Sequence, residues 1–99
     1  MIPEIKIEGK YRHSDSVVFR EVGEEVMIVT ESSGVSVEEE ALLTLSGTGA
    51  LIWNLLDGTN TVQQIIEHVM EHYDVPEEQV RMDTVAFLQE LAVRKMIAA

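Results

Sequence analysis

Ser46-Gly47-Thr48-Gly49-Ala50-Leu51-Ile52-Trp53-Asn54-Leu55-Leu56-Asp57-Gly58 marks the place where the hydrophobic period of the chain changes. The Ser46 hydroxyl is suited to accept an orphan backbone N–H, so a helix is expected to open at Gly47 or Thr48. It would run through Ala50 to Leu56 and stop at Asp57-Gly58, where Gly58 is free to adopt the left-handed conformation. On this short apolar helix Trp53 reads as core packing rather than a ligand platform.

Working upstream, Ala41-Leu42-Leu43-Thr44-Leu45 suits a strand. Before it, Val17 to Val22 and Glu25 to Thr30 are two β-branched runs separated by Gly23-Glu24, the pattern of a hairpin. Residues 1–16 are polar and mixed, so a frayed or loosely docked N-terminal arm is expected, with the folded domain spanning 17–99. Working downstream, Thr61 and Gln64 match a capping box. Val62, Ile65, Ile66, Val69, Met70 and Tyr73 then follow at helical spacing as one apolar stripe. Pro76 starts a third helix that reaches about Arg94 or Lys95, with Met96 to Ala99 as a short final segment. Three strands followed by three helices make an α+β domain, a three-stranded antiparallel sheet packed on a helical trio. Helices two and three have the spacing of a helix-turn-helix.

Composition narrows the function. The 99 residues suffice for one domain, and 45% hydrophobic with 25% charged residues fits a packed core rather than a disordered chain. No apolar run approaches the roughly 20 residues of a membrane helix. No basic, apolar leader opens the chain, which reads as a cytoplasmic start. Cysteine is absent, which removes disulfides, thiolate nucleophiles and cysteine metal sites. The formal charge is −11, with −6 in residues 1–45 and −5 in 46–99. Such a chain is repelled by phosphate backbones and anionic lipid, so neither nucleic acid nor membrane is expected as a partner.

Two surfaces are left as candidate binding sites. At about 100° per residue, Val80, Phe87, Leu88 and Leu91 of the third helix form one stripe, facing the core. Met82, Val85, Ala86, Val93 and Met96 form a second, roughly opposite. A surface helix needs one apolar face, so the second is covered by the sheet, the arm or a dimer mate, or it is the wall of a groove. Flexible thioethers suit varied apolar guests. The other surface is the edge of the third strand, which lacks Pro and charge and so offers its backbone groups to an incoming strand. The competing reading is that residues 1–10 cover that edge. Glu38-Glu39-Glu40 reads as a solvated turn that would also attract a basic peptide.

With those residues in place, the central block is similar to the signature of the PqqD-like family: Leu45-Ser46, Thr48-Gly49-Ala50, Ile52-Trp53, Leu55-Leu56-Asp57-Gly58, Thr61-Val62 and Ile65. Tyr73-Asp74-Val75, Val80, Asp83, Phe87-Leu88 and Leu91 resemble its C-terminal half. The resemblance spans about residues 17–97. It implies a winged-helix-like domain that recognises ribosomally made, post-translationally modified peptides. Such a domain binds a precursor's leader peptide as an added strand between the third strand and third helix. It then presents the leader to a modifying enzyme, often a radical S-adenosylmethionine enzyme. Carried onto this chain, the peptide-binding residues would be Leu42, Leu43, Thr44 and Leu45 on the strand. Met82, Val85, Ala86 and Gln89 would serve on the third helix. Ser46 stands where the family commonly has Asn, and the Glu31–Glu40 stretch lacks the family's usual Pro-Glu, which separates membership of the family from membership of the quinone cofactor pathway.

No catalytic set assembles, because no nucleophile, base and orienting acid are brought together, so neither an enzyme nor a cofactor is expected. His68 and His72 have metal-ligand spacing, but no third ligand follows and an exposed polar helix face accounts for them. His13 falls in the polar arm and reads as solvated, and Asp83 reads as paired with Arg81 or capping a turn. Two other functions fit a helical domain: a winged-helix transcription regulator, and a structural subunit that dimerises through the second stripe. Against the first, the third helix sets Arg81, Arg94 and Lys95 against Glu77, Glu78, Asp83 and Glu90, a poor charge for a recognition helix.

Overall fold

The computed structural model describes residues 4–15, 17–30 and 42–98. The elements are β1 (Lys10–His13), β2 (Val17–Val22), β3 (Glu25–Thr30), β4 (Leu42–Leu45), α1 (Thr48–Leu55), β5 (Asp57–Thr61), α2 (Val62–His72), α3 (Glu77–Val93) and β6 (Ile97–Ala98). They form two three-stranded antiparallel sheets, in the orders β5-β1-β6 and β2-β3-β4, with the three helices. The α+β class, the hairpin, the third strand of the meander and the three helices agree with the sequence. Ala41 and Glu38-Glu39-Glu40 lie outside the described residues.

The β2-β3-β4 meander is in simple register, with Phe19 opposite Ile28, and Val26 and Ile28 opposite Leu45 and Leu43. Alternation sends Val26, Ile28 and Leu45 into the core, while Val18, Val22 and Met27 remain exposed on the outer face. The buried side chains form one cluster that includes Val26, Ile28, Ile52, Trp53, Leu56, Ile65, Ile66, Leu88 and Leu91. Removing that apolar surface from water is the main drive to fold in a chain with no disulfide.

The N-terminal arm is docked. Ile5, Ile7 and Tyr11 pack on the core, and β1 pairs with both β5 and β6. The carbonyls of Gly9 and Ile7 accept the N–H groups of Val62 and Gln63, both at 3.0 Å. These are among the first N–H groups of α2, which have no partner inside the helix, so the arm supplies what a cap alone cannot. Thr61 and Gln64 complete the expected capping box, with Gln64 N donating to Thr61 Oγ1 at 3.1 Å and Thr61 N to Gln64 Oε1 at 2.8 Å. Val62, Ile65, Ile66 and Val69 are buried as the stripe requires, whereas Met70 and Tyr73 stay more than a third exposed.

Three local expectations change. Ser46 does not cap α1: Gly47 occupies the N-cap position at φ 57°, a left-handed value costly for a residue with a Cβ, and no side chain caps the helix. His13 is half-buried rather than solvated, its ring stacked on Trp53. Met96 does not continue the exposed stripe of α3 but is fully buried. The helix ends at Val93, and Lys95 takes φ 61°. Lys95 N then donates to the Ala92 carbonyl at 3.0 Å and Met96 N to the Leu91 carbonyl at 2.9 Å. This is a Schellman turn with lysine where glycine is usual, and it swings Met96 inward beside Leu91.

Candidate peptide-binding site

The candidate site is centred on β4, whose one neighbour among the described strands is β3. Its other edge therefore has backbone N–H and C=O groups with no strand partner among the described residues. Of the arm, which would have closed this edge, Lys10–His13 pairs with β5 and β6 in the other sheet, and the Ile7 and Gly9 carbonyls bond to the start of α2. On β4 itself the alternation is clear: Leu45 is buried, Leu43 packs partly on the core and Thr44 is exposed.

The end of β4 adjoins α3. A methyl group placed on Gly49 would rest 3.6 Å from the Leu45 side chain and 3.8 Å from Phe87. Phe87 of α3 thus lies near Gly49, as the Leu45 side chain does, and it is only half-buried. The sequence assigned Phe87 wholly to the core stripe; its position at the stripe's edge, one residue from Ala86, was the available signal. Of the expected wall residues, Met82 is 64% exposed, Ala86 is exposed, and Val85 and Gln89 are half-buried. Val93 is 56% exposed, so α3 presents an apolar line to solvent on the side away from Val80, Thr84, Leu88 and Leu91, which are buried.

A cavity of about 280 Å³ lies where α1, α2 and α3 converge, beside that junction. Ile52, Val69, Val75, Val80 and Phe87 supply apolar walls, with Tyr73, Thr48, Thr84 and Asp83 among the remaining lining residues. Asp83 accepts a hydrogen bond from Gln79 Nε2 at 2.9 Å rather than pairing with Arg81. Arg81 instead pairs with Glu77 at 3.1 Å, and Arg94, just past the end of α3, pairs with Glu90 at 2.8 Å.

Of the histidine pair on α2, His72 Nδ1 lies 2.9 Å from the His68 carbonyl and His68 Nδ1 lies 3.7 Å from Glu71 Oε2. Among the described residues no three His, Asp or Glu side chains are grouped to hold a metal ion. No helix among them is long and apolar enough to cross a membrane. Among the described residues Asp57 is held below the ordinary carboxylate value: the Thr59 hydroxyl donates to it at 2.7 Å, and the Thr59 and Asn60 N–H groups donate as well.

Comparison with known proteins agrees with this geometry. No curated protein matches the chain. Among solved structures, TbiB1 in complex with the TbiA(beta) leader peptide superposes with a TM-score of 0.77 at 25% identity, over 89% of this chain and 95% of that one. The family model described as coenzyme PQQ synthesis protein D matches residues 25–97. With a β-meander leading into three helices and a match over most of its length, the chain belongs to the PqqD family.

Proposed function

We propose that this protein is a non-catalytic adaptor that binds the leader of a ribosomally made precursor peptide and presents it to a separate modifying enzyme. The observation that carries this reading is that β4 has a strand partner on one edge only among the described residues, while Lys10–His13 of the arm pairs in the other sheet. The guest would add as a strand along Leu42, Leu43, Thr44 and Leu45, drawing affinity from backbone hydrogen bonds. Met82, Val85, Ala86 and Gln89 of α3 would flank it and read its side chains. The leader peptide held by TbiB1 supports the class of guest.

The modifying enzyme would be of the radical S-adenosylmethionine type, acting in the cytoplasm on natural-product or cofactor precursors. The outer face of the meander, with Val18 at 56%, Val22 at 53% and Met27 at 39% exposure, offers that enzyme or a second copy of the chain an apolar surface.

Calorimetric titration with the leader of a precursor encoded beside this gene tests the adaptor role. Binding at micromolar Kd or tighter is expected, about −8 kcal/mol. Tight, salt-dependent binding to random duplex DNA with no response to the leader would reverse the assignment in favour of a transcription regulator.

A further inference from the structure

We infer that the cavity between α1, α2 and α3 is the anchor pocket of the guest peptide, taking one large apolar side chain that has a basic residue next to it in sequence. The inference rests on the adaptor reading and adds a rule for which guests are accepted. Size is the first argument. At about 280 Å³ the cavity falls just below the roughly 300–1,000 Å³ of small-molecule sites, so it suits a single bulky side chain better than a cofactor. Position is the second. Gly49 lines the cavity, and a methyl group on it would touch the Leu45 side chain, so the cavity lies beside the end of β4. Tyr73 and Val75, at 38% and 37% exposure, are large apolar residues left partly in water on the cavity wall, and a guest side chain would cover them.

Charge fixes the neighbour. Asp83 is the one ionisable carboxylate among the lining residues, and no lysine, arginine or histidine lines the cavity with it. Its hydrogen-bond donor, Gln79, is neutral, and it takes part in none of the ion pairs formed among the described residues. A guest ammonium or guanidinium beside the anchored side chain would supply the missing counter-charge, while a guest carboxylate there would be repelled. In a protein of net charge −11 the preference for a basic neighbour is reinforced at longer range.

The test is selection from a phage-displayed library of random twelve-residue peptides against the full chain, followed by affinity and amide hydrogen-exchange measurements on the enriched peptides. Enriched peptides are expected to carry a large apolar residue with Lys or Arg within two positions. Val75→Trp, which fills the cavity from an exposed position, should weaken them at least tenfold. Asp83→Asn should remove the basic preference from a fresh selection while keeping the apolar one. Peptides that protect the Leu42–Leu45 amides but lack such an anchor, and bind Val75→Trp unchanged, would overturn the pocket and leave strand addition standing. A selection yielding no peptide that protects β4 would overturn the adaptor reading, and the pocket with it.

Discussion

The His13 imidazole lies flat on the Trp53 indole, with ring centroids 3.8 Å apart and planes 8° from parallel, and its Nε2 sits 2.8 Å from the Trp53 carbonyl. A carbonyl only accepts, so Nε2 carries the proton. Phe19 meets both rings edge-on, 4.8 Å from His13 and 5.4 Å from Trp53. This trio joins β1 of one sheet, β2 of the other and α1, so it ties the arm to both the meander and the first helix. His13→Ala removes the stack and the hydrogen bond together and should cost about 1–2 kcal/mol. Urea unfolding followed by Trp53 fluorescence checks it, and an unchanged midpoint would mean that the His13 stack and hydrogen bond contribute nothing to stability.

Lys95 holds a left-handed conformation that a Cβ disfavours by roughly 1–2 kcal/mol. Lys95→Gly relieves that strain, partly offset by the greater conformational freedom glycine gives the unfolded chain, for a net gain of about 1 kcal/mol. A higher thermal midpoint with unaltered peptide binding is the expected outcome.

Asp57 gives the acid limb of stability a definite sign. Its folded pKa is depressed below the ordinary 3.8, with the Thr59 hydroxyl as the first cause. Its contribution is therefore fully present above that value and is lost as pH falls through the folded pKa. Asp57→Asn should show a shallower loss of stability between about pH 4 and the depressed folded value than the parent. Parallel pH–stability curves for the two proteins would contradict the assignment.

Much of this architecture is legible in the residues. The capping box at Thr61 and Gln64 and the apolar run from Val62 to Val69 lead to α2 without ambiguity, and the burial of Trp53 follows from its neighbours. The docked arm was masked by its charge: Ile5, Ile7 and Tyr11 sit at alternating positions among Glu4, Lys6, Glu8 and Lys10, a strand-like period spread too thin to outweigh the polar composition. Its pairing partner Asp57–Thr61 reads as a helix stop and a cap, and becomes a strand only through contact with β1. The placement of Met96 was hidden because Lys95, not glycine, makes the turn. The place of β4 as the last strand of the meander was legible, whereas the cavity was not. It draws on three helices, and their mutual placement is a tertiary fact.

Met82 separates binding from folding. Being 64% exposed on α3, it should accept a charge at little cost to stability, within about 0.5 kcal/mol. Met82→Glu should nevertheless weaken a cognate leader several-fold, by removing an apolar contact and adding negative charge. Titration of both proteins, paired with their urea midpoints, checks this. Unchanged binding would move the guest off this flank of α3.

Strand addition is tested most directly by amide hydrogen exchange of the full chain, alone and saturated with a cognate leader peptide. Strong new protection at Leu42–Leu45, with β2 exchanging at its free rate, is the predicted result. Protection appearing along Val17–Val22 instead, or binding that leaves Leu42–Leu45 exchanging as before, would contradict it.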